Sequence, residues 1–68
     1  MLKGKETIDK LINGAVIYIA ESNKFERRLY RYNNINKSIE YSDNGAEWQS
    51  SNMQLNDFEK EIWIIESE

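Results

Sequence analysis

The arginines of this 68-residue chain are confined to one stretch, where Arg27, Arg28 and Arg31 alternate with Tyr30 and Tyr32. A guanidinium presents a planar fork of donors that matches phosphate and carboxylate oxygens, and tyrosine rings next to it can stack on a base. These five residues are therefore the candidate ligand-binding set, and a small nucleotide is the ligand their chemistry suits. The same pattern also suits a solvated strand whose charges discourage edge pairing. In an extended strand Arg27, Leu29 and Arg31 share one face, while Arg28, Tyr30 and Tyr32 share the other. Only one of the two sets can line a given pocket, and Arg28 with Tyr30 and Tyr32 is the expected one.

Other chemistry is thinly provided. The chain has no histidine and no cysteine, which removes the usual general base, thiolate nucleophile and zinc ligands. Its glycines, Gly4, Gly14 and Gly45, are isolated, so no phosphate-cradling loop is present. Asp57, Glu59 and Glu61 alternate in sequence but lack the tight oxygen-rich loop that hard cations need. The expectation is a protein that is not an enzyme and uses no metal or cofactor.

Charge divides along the chain. Residues 1–39 hold eight basic and four acidic side chains, whereas residues 40–68 hold eight acidic ones and Lys60 alone as a base. Glu40, Asp43, Glu47, Asp57 and the later acids form either a solvated face or a mimic of a phosphate backbone that occupies a nucleic-acid-binding protein. The chain carries a net charge of −3, and nucleic acid is not an expected partner.

The elements that must position these residues follow from periodicity. Ile8, Leu11 and Ile12 give Lys5 to Asn13 one apolar helical face, which Asn13-Gly14 ends. Ala15 to Ala20 is apolar on both parities, as in a strand covered on both faces or lying at a subunit interface. Phe25 to Tyr32 follows the turn Glu21-Ser-Asn-Lys24 as a second strand. Asn33-Asn-Ile-Asn36 is turn chemistry, and Lys37 to Ser42 alternates as a third strand. Asp43-Asn-Gly45 turns into a short strand around Glu47-Trp48-Gln49. Leu55 to Lys60 reads as a brief helix, and Ile62 to Ile65 as a closing, central strand. Trp63 is expected in the core, and Trp48 in either core or contact surface.

The chain is thus one small α+β domain, residues 1–68. It has an N-terminal helix, a four- to five-stranded, mostly antiparallel meander, and a short helix before the last strand. Its longest apolar run, Ala15 to Ala20, falls far short of the roughly 20 residues that span a bilayer. No secretory signal is evident in Met1-Leu-Lys-Gly-Lys-Glu, so a cytoplasmic location with no membrane partner is expected. A core this thin, with a first strand apolar on both sides, leads us to expect a homo-dimer or higher homo-oligomer.

The ends of the chain, Leu11-Ile-Asn-Gly14 with its following strand and Asp57-Phe-Glu-Lys-Glu-Ile-Trp63-Ile-Ile-Glu66, resemble the sponge proteins of the second Thoeris anti-defence family of phages. The resemblance covers about 25 residues. It implies an oligomeric α+β protein of phage or prophage that sequesters a cyclic ADP-ribose signal without cleaving it and so silences a host defence. The basic-Gly-Trp segment expected after the first strand is replaced here by Tyr18-Ile-Ala-Glu-Ser-Asn23, so no binding residue carries over. Two functions follow as expectations: a non-catalytic inhibitor of host defence that holds a nucleotide signal, or a protein-binding inhibitor whose acidic or aromatic surface blocks a host nuclease or effector.

Overall fold

The computed structural model describes residues 1–23 and 25–68, and Lys24 of the expected first turn lies outside them. Its elements are α1 (Lys5–Ile12), β1 (Val16–Ile19), β2 (Leu29–Asn33), β3 (Ser38–Ser42), β4 (Gln49–Ser50), a 3-10 helix (Leu55–Lys60) and β5 (Trp63–Ser67). The five strands make one sheet in the order β4-β3-β2-β1-β5 with every neighbouring pair antiparallel. The α+β class, the leading helix and the short helix before the last strand are those expected from the sequence.

α1 ends where Asn13-Gly14 predicts. Gly14 sits at φ 100°, its N–H donates to the Leu11 carbonyl, and the Ala15 N–H donates to that of Lys10. This pair of bonds is the glycine-terminated Schellman close of a helix. The helix buries Thr7 and Leu11 and leaves Ile12 exposed, so its inward stripe is narrower than the apolar spacing suggests.

Leu11 meets Leu2, Ala15, Ile17, Ile39, Phe58 and Trp63 in a single core. Its densest part is aromatic. The Trp63 ring lies 4.7 Å from Phe58 and 5.4 Å from Tyr30, while Tyr30 meets Phe58 edge-on at 5.5 Å. The Trp63 indole N–H donates to the Phe58 carbonyl at 2.9 Å, which satisfies both groups inside the core.

Register explains which side chains take part. Ile17 pairs with Tyr30 and with Ile65, and Tyr32 pairs with Ile39. Cross-strand partners point to the same face, so these residues share the face on which α1 and the 3-10 helix pack. The opposite face carries neither helix.

Three strands differ from expectation, and the short fourth one is Gln49–Ser50, so that Trp48 precedes it rather than lying within it. β2 begins at Leu29 rather than Phe25, because Asn23 gathers the chain before it. Its side-chain oxygen accepts the Phe25 N–H, its carbonyl accepts the Glu26 N–H, and Phe25 is left 86% exposed. The closing strand is an edge strand rather than a central one, and β1 occupies the middle of that half of the sheet. Leu2 explains part of its apolar character, because reciprocal backbone hydrogen bonds tie Leu2 to Trp63 and cover that end of the edge. No helix among the described residues is long and apolar enough to cross a membrane.

Candidate functional site: the open face of the sheet

The helix-free face presents a band that crosses all five strands. Tyr18 on β1 pairs with Ile64 on β5, and Arg31 on β2 pairs with Glu40 on β3. Leu29 and Arg27 share the parity of Arg31, and Trp48 precedes β4 on the parity of Ser50, the partner of Glu40. Tyr18, Leu29, Trp48 and Ile64 are all half-buried although no helix covers them.

The two aromatic rings of the band are covered by arginines. The guanidinium carbon of Arg27 lies 3.9 Å from the centre of the Tyr18 ring, and that of Arg31 lies 4.1 Å from the centre of the Trp48 ring. A guanidinium held over a ring gains an electrostatic attraction worth about 0.5–1 kcal/mol at an exposed site. It also screens apolar surface while staying wet at its edges.

The two arginines differ in their remaining partners. The Arg31 Nε–H donates to Glu40 at 2.8 Å, and Asn33 donates to the other oxygen of the same carboxylate at 3.2 Å. Those bonds hold the Glu40 carboxyl below its usual range, first through Arg31 and then through Asn33, against the opposing effect of burial. Arg27 forms no ion pair among the described residues, and its Nε is buried without an acceptor.

Local chemistry fixes the loop that carries Trp48. Ser42 is buried, and its hydroxyl oxygen accepts the N–H groups of Asn44 and Gly45 while donating to the Asn44 side chain. The Asn44 side-chain oxygen also accepts the N–H groups of Ala46 and Glu47. Gly45 takes φ 79°, and a Cβ there would meet Leu29 at 3.4 Å. The turn read from Asp43-Asn-Gly45 therefore lies against the open-face band and sets the approach to Trp48.

The five sequence-selected residues are divided between faces. Arg27 and Arg31 are on the open face. Arg28 lies on the other parity at the β3 side, where it bonds Asp43 at 2.9 Å and covers the Tyr41 ring at 4.4 Å. The Asp43 carboxylate raises the Arg28 pKa. Tyr30 packs in the aromatic core, and Tyr32 lines a cleft beside α1. No one pocket gathers all five.

In the sequence Trp48 fits either core or contact surface, while Tyr18 and Ile64 fall inside apolar strands. Their alternation with core positions was the available signal, but it required knowing which face the helices cover. Among the described residues no three acidic side chains converge as a metal site would need. No family model, no curated protein and no solved structure matches this chain.

Proposed function

We propose that this is a non-catalytic, protein-binding inhibitor that acts by laying the open face of its sheet on a partner, in keeping with the anti-defence role the terminal resemblance implies. The observation that carries this reading is the helix-free band of Tyr18, Leu29, Trp48 and Ile64, with Arg27 over the Tyr18 ring and Arg31 over the Trp48 ring. Tryptophan, tyrosine and arginine are the residue types that dominate contact energy at protein interfaces. Arg27, which has no carboxylate partner among the described residues, suits an acidic side chain of the target.

The nucleotide-sequestering form of the inhibitor has less support. Arg28 and Arg31 already pair with Asp43 and Glu40, so a phosphate at either would meet a neighbouring carboxylate of like charge. The homo-dimer expected from the sequence has one natural route. β1 is paired on both sides, so its apolar residues could meet a second copy only through the open face that carries Tyr18.

The test is native mass spectrometry of the wild-type protein and a Trp48→Ser/Ile64→Ser variant after incubation in a bacterial host lysate. The wild type should retain a protein partner that the variant releases while still showing a folded circular-dichroism spectrum. A wild type that carries only a nucleotide-sized ligand, or a partner held equally by the variant, would overturn the reading.

A further inference from the structure

A second feature lies on the helix-bearing side, away from the open-face band. An open cleft of about 570 Å³ runs between α1, the start of β3 and the segment from Ser51 to Asn56. Its volume is in the range that accommodates small organic ligands. Ile39, buried in the core, and the half-buried Ile8, Met53 and Leu55 supply its apolar wall.

The polar part of the lining is unusual for this chain. Although acids outnumber bases twelve to nine overall, no acidic residue lines the cleft, and Lys37 is its one charged group. Lys37 makes no ion pair among the described residues. Amide and hydroxyl groups of Asn52, Asn56 and Ser38 supply further polar groups around it.

Lys37 also occupies a costly backbone position. Its φ of 57° makes it the one non-glycine residue in the left-handed region among those described. A side chain there is strained relative to glycine. Glycine or asparagine would serve the β2–β3 turn more cheaply, and the turn is already closed by Asn33, whose side-chain oxygen accepts the Ile35 and Asn36 N–H groups. Turn geometry therefore accounts for the backbone but not for a lysine.

We infer that this cleft is a binding site for a small amphipathic organic anion, whose apolar body lies on Ile8, Ile39, Met53 and Leu55 and whose single anionic group meets Lys37. The apolar wall favours a hydrocarbon or aromatic body, and the solitary ammonium favours one negative charge rather than a polyphosphate. The site is separate from the open face, so its failure leaves the protein-binding reading intact.

The probe is 8-anilinonaphthalene-1-sulfonate, an aromatic monoanion, compared with uncharged N-phenyl-1-naphthylamine, which offers a similar body without the charge. Fluorescence titration should show the anion binding more tightly, with nuclear magnetic resonance shifts at the Met53 methyl and at Ile39. Lys37→Gly relieves the backbone, so its melting temperature should hold or rise. Its affinity for the anion should fall about tenfold or more, the loss expected for one charge-assisted contact. Lys37→Arg should retain most of the affinity. Equal anion affinity in the wild type and Lys37→Gly would overturn the inference, as would shifts confined to Tyr18 and Trp48, or displacement of the dye by millimolar inorganic phosphate.

Discussion

Replacing Trp63 with phenylalanine removes two things from the centre of the fold. The indole N–H that bonds the Phe58 carbonyl at 2.9 Å disappears, which leaves a buried acceptor unpaired at a cost of about 1–3 kcal/mol. The smaller ring also leaves a space of about 40 Å³ against Phe58 and Tyr30, adding about 1 kcal/mol at roughly 24 cal/mol per Å³. A loss of about 2–4 kcal/mol is substantial for a domain of this length, whose whole stability is about 3–10 kcal/mol. The assay is urea unfolding followed by far-ultraviolet circular dichroism, which does not depend on the deleted fluorophore. With an m-value of about 1 kcal/mol/M, the midpoint should fall by about 2–4 M, so the variant of a weakly stable parent would be unfolded in water. Trp48→Phe, on the open face, should move the midpoint by less than about 1 M. Similar midpoints for wild type and Trp63→Phe would refute the placement of Trp63 in a bonded aromatic core.

Three further outcomes follow from the same structure. Glu40→Gln should cost about 1–2 kcal/mol at neutral pH, because Arg31 and Asn33 both bond the carboxylate. Since the folded Glu40 pKa lies below the usual 4.5, its stabilisation is complete above that value and is lost as pH falls through the depressed folded value. Melting curves from pH 7 to 2 should therefore show an acid loss in the wild type that is smaller in the variant. Gly14→Ala, at φ 100°, should lower stability by about 1–2 kcal/mol in chemical unfolding. Arg28→Ala should change it by less than about 1 kcal/mol, since the bond to Asp43 is solvent-exposed.

The turns were the most legible part of the sequence, because their chemistry is local. Asn13-Gly14, Asn33 and Asp43-Asn44-Gly45 each hold a close that depends on few distant residues, and together they set the β2–β3 and β3–β4 registers. That register brings Arg31 opposite Glu40. Alternation likewise separated Arg27 and Arg31 from Arg28, Tyr30 and Tyr32. It could not say which set faces the helices, because a period of two is symmetric between faces. The answer depends on Phe58 and Leu11 packing on Tyr30 and Trp63, which is a long-range choice. The edge position of β5 was hidden for a related reason. Trp63 and Ile65 face the core while Ile64 joins Tyr18 on the open side, so the strand reads as apolar throughout without being flanked on both sides.

Site-specific photocrosslinking tests the open face as the contact surface most directly. A benzophenone amino acid placed at Trp48 and, separately, at Glu59, an exposed position of the 3-10 helix on the opposite side of the sheet, would be irradiated in the presence of host lysate. The open-face account predicts a protein adduct of defined mass from position 48 that Arg27→Glu diminishes, and none from position 59. An adduct formed from position 59 but not from 48 would contradict it.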